Sequence, residues 1–134
     1  MGLMWDDTDS VGVPELDLQH QQLFNVLCNL MAHPEASVDS ELIADALDQL
    51  TWYGDAHFRA KESLLRAHAY PLLDEQLAGH REYRRAVAEF CFATTAGSDK
   101  VPAQLLAFLR SWWDGHIRGA DRRYAAFLRE RNLV

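Results

Sequence analysis

Residues 16–24 read LDLQHQQLF, and the histidine in this stretch keeps step with the apolar residues around it. Leu16, His20, Leu23 and Phe24 share one face of a helix that has 3.6 residues per turn. An imidazole on an apolar face is costly unless its ring nitrogens find partners. The stretch therefore predicts an amphipathic helix that carries a polar group toward the core.

The same pattern recurs three more times along the chain. His57, His80 and His116 each fall in step with the apolar residues of their own segments, and no run alternates with period two for long enough to be a strand. Short links between long amphipathic segments favour antiparallel neighbours. The sequence therefore predicts an all-α fold, an up-down-up-down antiparallel four-helix bundle preceded by an irregular N-terminal arm.

Prolines and a turn-forming stretch set the predicted boundaries. The breaks are His33-Pro34, Tyr70-Pro71 and the AGSD stretch at 96–99, because the residue before a proline disfavours helix. The 134 residues form a single predicted domain, with an arm over residues 1–14 and helices over about 15–33, 38–67, 72–95 and 102–131. Either residue 39 or residue 40 can cap the second helix.

Charge and hydropathy exclude two classes of function. The formal net charge is −7, which argues against a nucleic-acid-binding surface. No apolar run approaches the roughly 20 residues that span a bilayer, so we expect no membrane insertion. The acidic N-terminus lacks the apolar stretch of a signal peptide, which predicts a cytoplasmic protein.

Further polar residues accompany the inward-facing histidines. Asp121 follows the fourth histidine by five positions, Lys61 follows the second by four, and Gln76 precedes the third by four. Glu62 lies about 100° around the second helix from its neighbour and would reach the centre only if the helix were bulged. Four imidazoles and a carboxylate favour a metal site, and a hydrogen-bonded polar core without metal is the alternative.

These motifs resemble those of the hemerythrin family, including its bacterial members, the bacteriohemerythrins. The resemblance runs nearly end to end: Trp5 and VGV (11–13) in the arm, LDLQHQQLF (16–24), AHF (56–58), YP (70–71) with His80 nine residues after the proline, and Trp112 with HIRGAD (116–121). It implies a four-helix bundle that holds two non-haem irons and binds oxygen.

The resemblance also implies roles for individual residues. His20 and His57 match the ligands of the iron with an open position, whereas His80 and His116 match two of the three histidines on the other iron. Asp121 matches one of two bridging carboxylates.

Three positions depart from the family's pattern. Lys61 stands where the family has its bridging glutamate, and Gln76 stands where it has a further histidine. Trp113 replaces the leucine that usually lines the oxygen pocket, beside Ile117. A lysine in place of a carboxylate makes the metal-free centre neutral, so two ferrous ions would bring a charge of +4 into a low-dielectric core.

The hypothesis is therefore a degenerate hemerythrin-like site that holds at most one metal, with iron favoured over zinc and with impaired reversible oxygen binding. Oxygen or nitric oxide would be its ligand. Two alternatives stay open: a metal-free bundle that acts as an interaction or regulatory domain, and a mono-iron oxidoreductase. Enzymatic activity is not the preferred hypothesis, and the sequence does not show whether the domain works within a larger signalling protein.

Overall fold

The computed structural model describes Trp5 and residues 9–133. Within this part of the chain the regular structure is helical and includes no strand. The elements are α1 (Pro14–Ala32), α2 (Glu41–Ala67), α3 (Leu73–Thr95), α4 (Val101–Trp112), a π-helical segment (Trp113–Ala120) and α5 (Asp121–Glu130). The last three follow one another without a break and together form the fourth rod of the bundle.

The four rods form a closed antiparallel bundle. Helix α1 packs against α2 and α4, and α3 packs against the same two helices. The connections span only residues 33–40, 68–72 and 96–100, so successive helices must reverse direction. The predicted fold class is thus confirmed. Among the described helices, none combines the length and the apolar character needed to cross a bilayer.

Local sequence explains where the helices begin. Pro14 is the first residue of α1, a position where its missing N–H costs nothing. Ser40 caps α2, because its Oγ accepts a hydrogen bond from the backbone N–H of Ile43 at 3.4 Å. Asp39 instead accepts a hydrogen bond from the hydroxyl of Ser37 in the preceding turn. Helix α2 therefore begins three residues later than the sequence predicted.

The fourth rod differs most from its prediction of one helix over about 102–131. In the π-helical segment, the backbone N–H of Asp121 bonds to the carbonyl of His116, five residues earlier. This spacing replaces the i→i−4 bond of an α-helix and adds a residue to the turn. Such segments are frequent at functional sites, and this one connects two of the predicted site residues.

The described part of the N-terminal arm lies against the fourth rod. Asp9 is buried and accepts hydrogen bonds from Arg118 at 2.9 Å and from Arg122 at 3.3 Å. Asp17 in α1 accepts bonds from the Val11 backbone N–H and from a serine hydroxyl. Residues 1–4 and 6–8 of the predicted arm lie outside the described residues.

The apolar core consists of two clusters at different levels of the bundle. The larger contains residues such as Leu23, Leu50 and Trp113. The smaller, at the end where α1 begins, contains residues such as Leu16 and Tyr124. The inward polar residues identified in the sequence occupy the level between these two clusters.

Candidate metal centre

The carboxylate of Asp121 is the hub of the polar layer. Lys61 Nζ lies 3.0 Å from both of its oxygens. His116 Nε2 lies 3.2 Å from Oδ1, and His20 Nε2 lies 3.2 Å from Oδ2. The side-chain amide of Gln76 donates to Oδ1 at 3.2 Å. The structure thus brings residues from all four rods onto one carboxylate.

The π-helical segment explains how His116 and Asp121 reach the same centre. In an α-helix, residues five apart point roughly 140° away from each other. With the i→i+5 bond between them, the two side chains lie nearly above one another instead. The five-residue spacing of these two side chains is therefore the one that this local geometry requires.

His57 and His80 are oriented by acceptors on the outer side of the layer. His57 Nδ1 lies 2.7 Å from Gln19 Oε1, and His80 Nδ1 lies 2.8 Å from Glu62 Oε2. With Nδ1–H donating, each Nε2 is left as a lone-pair acceptor. Neither Nε2 has a hydrogen-bond partner among the described residues. A metal-binding histidine typically donates one ring N–H to such an acceptor, which fixes the imidazole and leaves the other ring nitrogen free to bind the metal.

Aromatic rings hold three of the imidazoles in place. Tyr53 stacks on His57 with ring centroids 4.5 Å apart, and Phe58 stacks on His80 at 3.9 Å. On the fourth rod, Trp112 stacks on the imidazole of residue 116 at 4.0 Å. Because a stacked ring cannot rotate freely, the direction of each nitrogen is set before any ligand arrives.

Burial and the Lys61–Asp121 pair determine the protonation of the centre. Burial lowers the pKa of all three of His57, His80 and His116, that of His80 to about 2, and the charge of Lys61 adds to this effect. Burial alone would raise the pKa of Asp121, but Lys61 and His116 outweigh it and hold that pKa well below its usual range. Burial also lowers the pKa of Lys61, an effect that Asp121 opposes. At neutral pH these three imidazoles are neutral.

A subset of these residues has the spacing of a metal site. His20, His57 and Asp121 each offer one ligand atom, and the three atoms lie within 4.8 Å of one another. All three residues are buried. His20 Nε2 lies 3.2 Å from Asp121 Oδ2, and neither ring nitrogen of His20 makes a hydrogen bond of acceptable geometry among the described residues. Nitrogen and oxygen donors of this kind suit iron or zinc.

Lys61 and Gln76, the polar residues that depart from the family's pattern, both contact the Asp121 carboxylate. Lys61 points inward, is fully buried, and lies 3.5 Å from His116 Nε2 as well as against Asp121. Gln76 is a hydrogen-bond donor to the carboxylate, with its Oε1 unpartnered among the described atoms. Glu62 stays on the outer side of α2, because α2 has no bulge there, and its carboxylate bonds to His80.

Trp113 and Ile117 lie on the π-helical segment and are buried. The indole of Trp113 packs 5.1 Å from Phe24 and 6.0 Å from Trp5, measured between ring centroids. Arg118 lies 5.9 Å above the same indole. Trp113 therefore fills the space between α1, the arm and the fourth rod with a rigid ring.

Sequence reasoning missed Gln19 and Tyr53, which position His57 from two sides. A signal for Gln19 existed, because it lies three residues after Leu16 and so shares the buried face of α1. Tyr53 lies four residues before His57, the spacing at which side chains meet on a helix. Neither residue is a typical metal ligand, so spacing alone did not distinguish these two positions from ordinary core positions.

Comparisons with known proteins find a matching family model and several similar sequences. Residues 11–128 match the family model described as the Hemerythrin HHE cation binding domain. The chain is 28% identical to a bacteriohemerythrin of Stenotrophomonas maltophilia over 92% of its length and 79% of that protein's. It is 26% identical to a bacteriohemerythrin of Clostridium acetobutylicum, with 90% and 97% covered, and 27% identical to a hemerythrin-like protein of Naegleria gruberi, with 92% of each covered.

Proposed function

Since this chain belongs to the hemerythrin family, whose members bind non-haem iron and take O2 as a ligand, we propose that it is an iron-binding module limited to a single metal ion. The observation that carries the proposal is the buried contact between Lys61 and Asp121, with Nζ 3.0 Å from both carboxylate oxygens. An ammonium group lies where a second cation would have to share that carboxylate.

The donor set fits one ion. His20, His57 and Asp121 have the mutual spacing of ligands, and the Nε2 atoms of both histidines lack hydrogen bonds among the described residues. Unpartnered buried nitrogens are costly unless they have a further role. A metal coordinated by these three residues would satisfy both. His80 Nε2, also unpartnered, is a candidate fourth donor.

Electrostatics argues against a second ion. Lys61 and Asp121 cancel, so the centre without metal is neutral, and one ferrous ion brings its charge to +2. Two ferrous ions would bring the charge of the centre to +4, although Asp121 is the only carboxylate among the proposed ligands. Two unit charges 4 Å apart repel by roughly 4 kcal/mol at an effective dielectric constant of about 20, and divalent ions repel more strongly. Lys61 therefore disfavours the second ion by charge and by occupying its space.

An iron ion in this centre would supply an open coordination position for a small ligand such as O2 or nitric oxide. The chain's own residues determine the conditions around it. The two apolar clusters exclude water from both sides, and the stacked rings keep the imidazoles aligned. Trp113 fills the space on the α1 side, which would slow ligand access and impair reversible O2 binding. Zinc suits the same donors and is the second candidate metal.

One specific observation favours a metal-free function as the second candidate. The Lys61–Asp121 pair balances the charge of the centre without any ion, so the bundle can fold as it is. Such a domain would serve in protein interaction or regulation. This metal-free function predicts that the purified chain has no affinity for ferrous iron beyond that of its surface groups.

The test is anaerobic titration of the metal-free protein with ferrous iron, followed by calorimetry, for the wild type and two glutamine variants. His57→Gln removes a proposed ligand, whereas His33→Gln alters an exposed histidine at the end of α1. The proposal predicts that His57→Gln abolishes the tight site and His33→Gln leaves it intact. If wild type and His57→Gln bind iron equally weakly, the metal-free function is correct. Addition of O2 or nitric oxide to the iron-loaded protein should then change its visible absorption.

A further inference from the structure

One edge of the buried centre reaches the surface. The side chains of His20, His57, Lys61, His80 and Asp121 are completely buried, and Gln76 is 1% exposed. Among the five expected ligands, His116 is the one that keeps some exposure, at 8%. An ion that approaches the ligands from this edge therefore meets this imidazole first.

His116 lies at the bottom of a groove of about 450 Å³ between α3 and the fourth rod. Its lining includes Gly79 on α3 and Gly115 on the π-helical segment, beside larger residues such as Phe108. A Cβ atom at position 79 would lie 3.0 Å from both Cε1 and Nδ1 of the imidazole, a tight contact that would push the ring aside. Glycine at position 79 thus lets His116 keep its place at the groove.

The charges along the groove favour a cation. Glu75 and Glu82 lie on its α3 side, and Arg123, the basic residue among its lining, is paired with Glu75. The chain as a whole carries a formal charge of −7. With Arg123 and Glu75 neutralising each other, Glu82 leaves the groove with a net negative charge, and such a charge raises the local concentration of cations.

Two other surface grooves do not lead to the centre. The groove between α1 and α2 ends at Tyr53 and Leu50, and its lining contains no charged side chain. The groove between α2 and α3 ends at Tyr83 and Gly54. Neither includes a residue of the polar layer, so the groove at His116 is distinguished by contact with the site itself.

We propose that this groove is the route by which a divalent metal ion enters the bundle, with Glu82 attracting the ion and His116 as the first buried ligand that it meets. The inference rests on the proposed metal-binding function. It goes further in assigning a kinetic role to Gly79, Gly115 and Glu82, which belong to no expected ligand set.

The experiment measures the rate of Co²⁺ binding to the metal-free protein by stopped-flow absorption, because Co²⁺ reports its ligands in the visible range. Gly115 lines the groove, and a Cβ at this position meets no atom within 4 Å, so Gly115→Leu adds a side chain at the groove without a clash. Gly119→Leu is the matched control: it changes the same residue type in the same π-helical segment, its Cβ meets only a backbone oxygen at 4.0 Å, and it does not line the groove.

We expect Gly115→Leu to slow Co²⁺ binding at least tenfold, which corresponds to about 1.4 kcal/mol in the barrier, while Gly119→Leu stays near the wild-type rate. The final spectrum and the metal content at equilibrium should equal those of the wild type in both variants. Equal rates in all three proteins would refute the route but leave the metal site intact. A wild type that binds no Co²⁺ would refute the proposed function and the route together.

A second pair of variants keeps the test decisive if Gly115→Leu does not fold. Ser111 is exposed one turn before Gly115 on the fourth-rod wall of the groove, so Ser111→Phe narrows the groove without changing the π-helical segment. Glu82→Lys reverses the charge at the groove without adding an obstacle. Both should slow Co²⁺ binding, and only the effect of Glu82→Lys should fade as salt is added. A wild-type rate in both variants would contradict the proposal.

Discussion

The ammonium nitrogen of Lys61 lies 3.0 Å from each carboxylate oxygen of Asp121, in a layer where neither side chain is exposed. The lysine also lies 5.4 Å from the ring of Tyr124 and 5.8 Å from that of Phe58. A charge in such surroundings is tolerated only with a partner. The metal-free protein therefore depends on this pair, and perturbing either residue changes both stability and metal binding.

Replacement of the lysine by an uncharged side chain of similar length tests that dependence. In Lys61→Met, the Asp121 carboxylate stays buried without its counter-charge, and we expect the free energy of unfolding to fall by about 3–5 kcal/mol. Urea denaturation in the presence of a chelator measures the change. The control is Lys100→Met, because Lys100 is exposed and its replacement should have little effect.

Metal should compensate for the lost ammonium group. With saturating Zn²⁺, a cation again faces the Asp121 carboxylate, so the stability difference between Lys61→Met and wild type should shrink. A difference that is the same with and without Zn²⁺ would show that the lysine does not stand in for a cation.

The metal-free protein should lose stability as the medium becomes acidic. The folded state holds the pKa of His57, His80 and His116 below the ordinary value of 6.5, whereas the unfolded chain takes up protons below that value. The unfolded state then binds more protons, so the free energy of unfolding decreases as pH falls from about 6.5 toward the lowered values. Asp121, whose folded pKa is also lowered, adds to the loss below about pH 4.

Each such histidine contributes up to about 1.4 kcal/mol per pH unit to the slope of stability against pH. The variant His80→Gln should reduce the slope between pH 6 and pH 4 by roughly this amount. His33→Gln, which alters an exposed histidine, should leave it unchanged. Urea denaturation across this pH range is the measurement, and an unaltered slope in His80→Gln would contradict the assigned burial.

The hydrogen bond from His57 Nδ1 to Gln19 should affect metal affinity without direct contact with the ion. Gln19→Leu removes the acceptor that orients the ring, and we expect a loss of about 10- to 100-fold in affinity. Gln22→Leu is the matched control, since Gln22 is exposed on the same helix. Competition for Co²⁺ against a chelator of known affinity distinguishes the two, and equal affinities would exclude a role for Gln19.

Trp113 should slow the access of small ligands from the α1 side. Trp113→Leu removes a ring that is completely buried against Phe24, so we expect nitric oxide to react faster with the iron-loaded protein. Trp52→Leu, which changes a tryptophan that is 53% exposed, should not alter the rate. Stopped-flow absorption measures both variants. Equal rates would place the ligand's path elsewhere.

Apolar periodicity was sufficient to predict the bundle. Leu16, Leu23 and the leucines of the other helices repeat at helical spacing, and proline and short polar links separate the segments. The inward position of His20, His57, His80 and His116 followed from the same rule. The helices and the inward histidines depend on residues that are close together in the chain, so a single sequence is enough to predict them.

The π-helical segment could not be predicted in this way. His116 and Asp121, five apart, are on different faces of any regular α-helix, and the π-helical bond that brings them together is accompanied by contacts of Asp121 with Lys61 and Gln76 on other helices. The hydrogen bond between Gln19 and His57 could not be predicted either, because the two residues are 38 positions apart in the chain. Contacts of this range depend on the register between helices, which periodicity within one helix does not fix.

The metal content of two proteins, side by side, tests the central claim most directly. One is the wild type, and the other is the double variant Lys61→Glu with Gln76→His, which restores a carboxylate and an imidazole at the two departing positions. Both are loaded with ferrous iron without oxygen, freed of excess metal, and analysed for iron per chain. The claim that an ammonium group has taken the place of a cation predicts one iron in the wild type and two in the double variant. Two irons in the wild type would contradict it.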